Sequence, residues 1–278
     1  QGRPFTWFEL QPTSFAEILQ DISGVKESVR VGRNVEKNFA PIMELIKQGA
    51  PNGHIPITSI YMMSAVVAAK AGGLTDVVMS VERSASFGNV EYLGEMINHQ
   101  YSKSFEFEKM AHDYIRSYID PSMRVFSLLR PWYELQIVRE FVKYPQYFPH
   151  FMSCNRGLKT GGWCGDCAKC AFIFVSLSAF LPPAEVKKIF KMNLYENEQI
   201  VPLYRDLAGF GTMKPFDCVG TFDENMLALY LSGEQYKKAG LSLPVVLREL
   251  PIERGKAHLG LFDEDSDEHL IPSDYKKP

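Results

Sequence analysis

The spacing of apolar positions in the first half of the chain switches repeatedly between a strand-like and a helix-like period. Strands rich in β-branched and aromatic residues are predicted at FTWFEL (5–10), ESVRV (27–31), TDVVMSVE (75–82) and RVFSLL (124–129). Helices are predicted around them, at SFAEILQDISG (14–24), VEKNFAPIMELIKQGA (35–50), ITSIYMMSAVVAAKAGG (57–73), SFEFEKMAHDYIRSYI (104–119) and PWYELQIVREFVKY (131–144). This alternation predicts an α/β fold with a doubly wound, mainly parallel sheet.

The second half of the chain has a different character, because the pattern becomes mostly helical after residue 170. We expect a boundary near residue 182, where two prolines follow a leucine. Residues 1–182 would form an α/β catalytic domain that includes a four-cysteine loop (154–170), and residues 183–278 a mostly helical C-terminal region. The acidic run DEDSDEH (263–269) is predicted to be a solvated tail or loop.

Composition and charge exclude several classes of function. The formal net charge is −3 and the pI is near 6.1, so the chain lacks the strong positive field with which many proteins bind nucleic acid. No apolar run reaches the roughly 18 residues that span a bilayer, and the first residues lack the pattern of a secretory signal. We therefore expect a cytoplasmic protein without membrane partners, whose thiols stay reduced.

Four of the five cysteines lie in one loop, CNRGLKTGGWCGDCAKC. Cys154, Cys164, Cys167 and Cys170 have the spacing C-x9-C-x2-C-x2-C, which supplies four thiolates for a tetrahedral Zn²⁺. An iron–sulfur cluster and four reduced thiols that only pack the loop are the other interpretations. A zinc with four thiolates has no open position, so it would stabilise the loop without taking part in a reaction. Cys218, in the segment PFDCVGT, is interpreted as a buried thiol rather than a nucleophile.

Seven ordered segments carry a family resemblance over most of residues 5–225. They are NGHIPIT (52–58), SVERSASFGN (80–89), NHQYSKSFEFE (98–108), FSLLRPWYEL (126–135), SCNR (153–156), WCGDCAKCAF (163–172) and PFDCVGT (215–221). Together they resemble the UDP-N-acetylmuramoyl-L-alanyl-L-glutamate epimerases, the MurL-type enzymes of peptidoglycan synthesis. The order of strand, loop and cysteine cluster is similar, more distantly, to the PP-loop ATP pyrophosphatases, notably the zinc-binding 7-cyano-7-deazaguanine synthases. The resemblance implies a PP-loop-type fold and the use of ATP.

The reaction that the resemblance implies inverts the terminal L-glutamate of UDP-N-acetylmuramoyl-L-Ala-L-Glu and converts ATP to AMP and pyrophosphate. A free carboxylate holds its α-proton tightly, because deprotonation would place a second negative charge beside the first. Adenylation removes that charge and makes the acyl group an electron acceptor, so that an ordinary side chain can take the proton. Mg²⁺ would neutralise the departing pyrophosphate.

One feature of the PP-loop enzymes is missing between residues 1 and 278, the SGGxDS-type loop that holds the ATP phosphates. The segment FTWFEL resembles the second strand of those folds, not the first. Backbone N–H groups of a glycine loop at a helix N-terminus are what bind phosphate, so we expect poor ATP binding by this chain alone. MurL-type chains are longer at the N-terminus, and we expect this sequence to be a fragment, a processed product or one part of a longer polypeptide.

A run of seven polar residues precedes the predicted helix that starts near Phe105. Its members are Asn98, His99, Gln100, Tyr101, Ser102, Lys103 and Ser104. A helix N-terminus beside such side chains favours an anionic ligand, although a capping loop with an exposed histidine and lysine also explains them. Through the resemblance, the run is interpreted as a substrate- or cofactor-binding loop. His99 is the first candidate for the α-proton base, with Tyr101 or Lys103 on the opposite face of the substrate.

Further candidates lie at predicted strand ends and in loops. Glu82 and Arg130 end two predicted strands, and such carboxyl ends face the ligand crevice of a doubly wound sheet. Glu82 would contact a metal or the substrate, and Arg130 a phosphate or the glutamate side chain, unless both are simply solvated. Three more binding candidates, which are otherwise turn residues, are Ser84, Ser86 and Asn89. His54 is either a ligand contact or a buried structural histidine.

Three functions are therefore open. The first is an ATP- and Mg²⁺-dependent epimerase with a structural Zn²⁺, whose partner is the small-molecule UDP-N-acetylmuramoyl-dipeptide. The second is a PP-loop enzyme that adenylates a nucleobase-derived or RNA substrate. The third is a non-catalytic, zinc-stabilised binding module. The sequence does not indicate an oligomeric state.

Overall fold

The structure is a computed structural model that describes residues 3–11, 14–33, 39–50, 55–157 and 161–275. Its strands are β1 (Trp7–Leu10), β2 (Ser28–Val31), β3 (Asp76–Met79), β4 (Val90–Tyr92), β5 (Glu95–Ile97) and β6 (Arg124–Ser127). Its α-helices are α1 (Ser14–Ser23), α2 (Phe39–Lys47), α3 (Ile57–Ala71), α4 (Phe105–Tyr118), α5 (Glu134–Phe141), α6 (Ala168–Ser178), α7 (Pro183–Phe190), α8 (Val201–Leu207), α9 (Phe222–Lys238) and α10 (Val245–Glu249). A 3-10 segment, Ile252–Asp263, follows. The predicted mixed α/β class is confirmed.

The four predicted strands are present and pair in parallel, but they form two separate sheets. β1 pairs with β2 in the register Trp7 to Ser28, and β3 pairs with β6 in the register Asp76 to Arg124. Among the described residues these two pairs do not bond to each other, and α3 contacts both β1 and β3. The single doubly wound sheet is therefore not confirmed, because backbone hydrogen bonds join the described strands only in pairs.

β3 is shorter than predicted, and Glu82 does not lie on it. The strand ends at Met79, and Arg83–Ser86 form a 3-10 turn. The Arg83 N–H donates to the Trp132 carbonyl at 2.8 Å, so the chain leaves β3 by bonding to the loop after β6. Glu82 consequently lies in the connection just beyond the strand.

The antiparallel hairpin of β4 and β5 is not indicated by the sequence pattern. Its turn holds Leu93 and Gly94 at positive φ angles of 52° and 82°. Asparagine or aspartate before glycine is the usual signal for such a turn, and leucine gives no such signal.

Two clusters of buried apolar side chains form the interior. The smaller cluster lies between α3, β3, α4 and β6, and Phe8 of β1 packs against it. The larger cluster is built around α6 and α9 and extends from Tyr133 to Leu261. It includes side chains from both sides of residue 182, where the domain boundary stays a prediction. Within the described ranges, no helix combines the length and the apolar character that crossing a bilayer requires.

The acidic segment 263–269 is largely exposed, as expected, and the chain beyond it returns to the first residues of β3 and β6. The Tyr275 hydroxyl donates to Asp76 Oδ2 at 2.8 Å, and its ring lies edge-on to Phe126 at 4.9 Å. Arg124 pairs with Asp76 at 2.6 Å and with Asp274 at 2.9 Å. The C-terminal segment thus covers the end of the β3–β6 pair that is opposite to the predicted site.

Candidate active site and metal centre

Segments that carry predicted site residues meet beyond the carboxyl ends of β3 and β6. Arg130, which follows β6, donates to the Glu82 carbonyl at 2.8 Å and approaches Ser86 Oγ at 3.5 Å. The Phe105 N–H donates to the same Ser86 Oγ at 3.1 Å. These bonds bring the turn after β3, the loop after β6 and the start of α4 together at one edge.

Arg130 itself is enclosed by protein. It is 1% exposed, and its Nη2 lies 2.6 Å from Oε2 of Glu108, which is also 1% exposed. The other Glu108 oxygen accepts the Ser127 N–H at 2.9 Å. Because its guanidinium already binds Glu108 and the Glu82 backbone, Arg130 has the contacts of a positioning residue. Contact with a phosphate or the glutamate side chain stays a prediction that this arrangement does not favour.

His99 joins three loops. Its Nδ1 is hydrogen-bonded to Asn89 Oδ1, and its ring lies edge-on to Phe216 with centroids 6.1 Å apart. Asn89 Nδ2 in turn donates to the Pro215 carbonyl at 3.2 Å. An amide oxygen only accepts, so Nδ1 carries the hydrogen and Nε2 is the basic atom of the neutral ring. This tautomer is the one that a general base with a fixed orientation requires.

Other residues of the 98–104 loop mainly shape it. Asn98 Nδ2 donates to the Ala85 carbonyl at 2.8 Å. Ser104 Oγ accepts the Phe107 N–H at 3.1 Å and caps α4, and Ser102 is buried. These contacts agree with the capping interpretation of the loop. Their substrate-binding roles stay predictions.

Two candidates are not placed among these contacts. Tyr101 is 42% exposed, and its ring packs edge-on against Phe107 of α4. His54 lies outside the described residues.

Lys103 points from this loop toward Cys218. Lys103 Nζ lies 3.3 Å from Cys218 Sγ, and that Sγ lies 2.7 Å from Gln100 Oε1. Burial alone would lower the pKa of Lys103, but Cys218 and Glu82 raise it above its ordinary value. The surroundings of the half-buried Cys218 are therefore polar and charged, unlike those predicted for a packed thiol.

Glu224 is a buried acceptor that links the two halves of the chain. It is 1% exposed and accepts bonds from Ser84 Oγ (2.8 Å) and from the N–H groups of Leu135 (2.9 Å) and Thr221 (2.7 Å). Ser84 thus has a structural contact, and its ligand-binding role stays a prediction. The capping-box spacing from Thr221 to Glu224 is the sequence signal that could have identified this carboxylate.

Two further charged residues interact electrostatically with the Lys103–Cys218 pair and have no sequence signal. Lys214 is only 7% exposed, and its Nζ lies 5.7 Å from the centroid of the Phe222 ring. Burial lowers its pKa, against the raising effects of Glu224, Glu134 and Cys218. Burial, followed by Glu82 and Glu224, raises the pKa of Glu134 well above its usual range. Lys214 and Glu134 lie far apart in the sequence, so a local sequence pattern does not indicate that they act on the same groups.

The four clustered cysteines form a separate centre whose sulfur atoms all lie within 4.8 Å of one another. Sγ separations are 3.4 Å for Cys154 and Cys164, 3.9 Å for Cys154 and Cys167, and 3.6 Å for Cys164 and Cys170. A tetrahedral ion with bonds of about 2.3 Å places its sulfurs about 3.8 Å apart. The cluster therefore fits one metal ion. Iron–sulfur clusters distribute their thiolates over several irons and need a wider arrangement.

Backbone N–H groups hold two of the four sulfur atoms in place by hydrogen bonds. Cys167 Sγ caps α6 by accepting the Cys170 N–H at 3.4 Å, and Cys154 Sγ accepts the Gly157 N–H at 3.1 Å. Cys154 and Cys170 are fully buried. Such N–H groups stabilise thiolates, the form that binds metal.

The fold and the two sites define a class: an α/β protein with charged and polar side chains beyond its parallel strand ends and four clustered cysteines that could hold a metal ion. Residues 1–128 match the model of the MurL N-terminal domain, and residues 150–255 match that of the MurL C-terminal domain. The chain belongs to the MurL family. No solved structure matches it.

Curated relatives of the chain are named UDP-N-acetyl-alpha-D-muramoyl-L-alanyl-L-glutamate epimerase. The protein of Xanthomonas oryzae pv. oryzae (strain MAFF 311018) is 41% identical over 204 residues, which cover 70% of this chain and 45% of that protein. The protein of Salinispora tropica is 37% identical and that of Micromonospora sp. (strain ATCC 39149) is 40% identical, each over 233 residues and 82% of this chain. These matches cover 50% and 51% of the two relatives. The chain thus spans about half the length of the curated relatives it matches.

Proposed function

We propose that this chain takes part in epimerising the terminal L-glutamate of UDP-N-acetylmuramoyl-L-Ala-L-Glu to D-glutamate, in peptidoglycan precursor synthesis. ATP would adenylate the carboxylate and Mg²⁺ would neutralise the pyrophosphate. The observation that carries the proposal is the contact between Lys103 and Cys218 in a MurL-family chain, on the loop that also carries His99. A cation beside proton-transfer groups suits a substrate whose carboxylate must be activated and then deprotonated.

The candidate residues have complementary tasks in this proposal. Lys214 and Lys103 supply positive charge for the phosphate or carboxylate of the substrate, and Glu82 supplies a carboxylate for Mg²⁺. His99 Nε2 exchanges a proton with the glutamate α-carbon, and Asn89 fixes the orientation of its ring. Arg130 and Glu108 position the Glu82 segment.

We also propose that the two parallel strand pairs belong to one PP-loop-type, doubly wound sheet. Both pairs contact α3, and Phe8 of β1 packs against the cluster that includes Val77 of β3. A strand between β1 and β3 would join the two pairs and would have to come from outside the described residues. Its carboxyl end would lie near the candidate site beyond β3 and β6, where such folds bind ligands.

The cysteine centre holds a structural Zn²⁺ in this proposal, and the protein acts in the cytoplasm. Four thiolates leave zinc no open position, so the ion would stabilise the loop and the start of α6. A thiolate centre needs a reducing compartment, which supports the cytoplasmic location.

The test uses the full-length gene product with UDP-N-acetylmuramoyl-L-Ala-L-Glu, ATP and Mg²⁺. Hydrolysis of the product and chiral separation should show D-glutamate, with one AMP per activated substrate at the outset. Omission of ATP, and a substrate that ends at L-Ala, are the controls. D-Glutamate formed without ATP would contradict the adenylation step. AMP formed only with nucleobase or RNA substrates would replace the proposal with the second function considered above.

A further inference from the structure

We propose that Cys218, as a thiolate paired with the Lys103 ammonium group, is one of the two groups that exchange protons with the glutamate α-carbon. The inference rests on the function proposed above and adds a residue that the sequence pattern assigns to packing. It names the thiol, not the imidazole alone, as a proton carrier.

The contacts of Cys218 suit a group that changes its protonation state. When Sγ carries a proton, Gln100 Oε1 at 2.7 Å accepts it. When Sγ is a thiolate, Lys103 Nζ at 3.3 Å donates to it. Both partners belong to the 98–104 loop, so one segment supplies a hydrogen-bond partner for the thiol and for the thiolate of Cys218. A thiol that only filled space would need neither contact.

Lys214 is an independent sign that an anionic ligand can bind near this thiol. It is 7% exposed, and its Nζ lies 5.7 Å from the centroid of the Phe222 ring. A ring face balances only part of the charge of an ammonium group, and an anionic ligand would supply an ion pair. Burial lowers the pKa of Lys214, while the charges of Glu224, Glu134 and Cys218 act to raise it.

The proton balance of the step is simple. Cys218 S⁻ takes the α-proton of the adenylated glutamate, the C–H electron pair moves into the acyl group, and Cα becomes planar. A protonated group on the other face then returns a proton to Cα, and the electron pair returns with it to form the new C–H bond. His99 is the candidate for that group, because its ring packs on Phe216, two residues before Cys218. Proton exchange with solvent restores both groups, so no oxidant or reductant is needed.

The first test compares Cys218→Ser with wild type in the full-length gene product. Serine keeps the shape but does not form an anion near neutral pH. AMP formation should stay within about 3-fold of wild type, while exchange of the α-proton with deuterated solvent falls at least about 100-fold. Met213→Ala, at an exposed position of the same segment, is the matched control. Unchanged exchange in Cys218→Ser would overturn the proposal, as would loss of both reactions in a folded variant, which would assign Cys218 to substrate binding.

The second test does not depend on turnover. Alkylation of Cys218 by iodoacetamide is followed across pH by peptide mass spectrometry, in wild type and in Lys103→Met. Loss of the Lys103 cation should raise the pH at which the alkylation rate reaches half of its maximum. Lys109→Met, on the exposed face of α4, should leave that pH unchanged. Identical profiles for wild type and Lys103→Met would overturn the ion pair. If wild type forms neither AMP nor D-glutamate, the proposed function has failed, and the alkylation profile still shows separately whether Lys103 controls the thiol.

Discussion

Ser84 Oγ donates a 2.8 Å hydrogen bond to Glu224 Oε2, although 140 positions separate the two residues. The same carboxylate accepts N–H groups at the beginnings of α5 and α9. Helix N-termini carry partial positive charge, so they stabilise an anion that burial would otherwise disfavour. A single carboxylate thus fastens the turn after β3 to the helical half of the chain.

Glu224→Ala should lower the free energy of unfolding by about 2–4 kcal/mol, because it leaves several buried donors without an acceptor. Urea denaturation measures this loss. Glu234→Ala, at a half-exposed position of the same helix paired with Lys237, should cost no more than about 0.5 kcal/mol. Equal losses in the two variants would contradict the anchoring role of Glu224.

Purified protein should contain about one zinc ion per chain, since four sulfurs at these separations form a closed tetrahedral site. Cys154→Ser should lose the metal and unfold at a lower temperature, because metal binding contributes to folding of the loop. Cys218→Ser, which leaves the tetrad intact, should retain the metal. Elemental analysis and thermal unfolding measure both effects. If the protein is metal-free and chelators do not change its thermal stability, the four cysteines are reduced thiols that only pack the loop.

The Asp76–Arg124 pair should make stability depend on pH in acid. The hydrogen bond from Arg124 is the largest cause that lowers the pKa of Asp76 below its ordinary value. The unfolded state therefore binds the proton first, and the stabilisation is complete above the unfolded pKa of about 3.9 and is lost as pH falls through the folded value.

The measurement is the difference in unfolding free energy between wild type and Asp76→Asn, from urea denaturation at several pH values. This difference should be constant above about pH 5 and shrink on acidification. Asp113→Asn, an exposed site on α4 without an ion pair to a described residue, should show no such trend. A difference that grows toward low pH would have the wrong sign for this pair.

His99→Ala in the full-length gene product should still form AMP but should form D-glutamate at least about 100-fold more slowly, because the imidazole delivers the proton to the second face of Cα. Exchange of the L-glutamate α-proton with deuterated solvent should persist, because Cys218 removes that proton. His150→Ala is the control. Formation of D-glutamate at the wild-type rate in His99→Ala would exclude His99 and leave Lys103 or Tyr101 as partner of the thiol. Loss of AMP formation as well would mean that the 98–104 loop positions the substrate.

The sequence predicts the four parallel strands but neither the β4–β5 hairpin nor the way the strands assemble, for a physical reason. β-branched runs such as Val77–Val78 indicate a strand by their own composition, although Val78 is exposed, and pairing between sheets depends on backbone neighbours that no local pattern specifies. The same limit applies to the candidate site. The polar loop at 98–104 is visible as a run, whereas Lys214 and Glu134 are single charges whose burial and proximity arise only from tertiary packing.

The return of the C-terminal segment to β3 has a consequence for how this chain reaches its native state. Tyr275 bonds to Asp76 across 199 positions, and Arg3 pairs with Asp274 across 271. A ribosome delivers residues in order, so the beginning of β3 and the ring of Phe126 stay uncovered until almost the last described residue has emerged. Contacts of such high sequence separation form slowly, because the conformational entropy of the intervening loop is lost before the contacts stabilise the fold. Until that point the incomplete chain exposes this surface, which can aggregate or bind a chaperone.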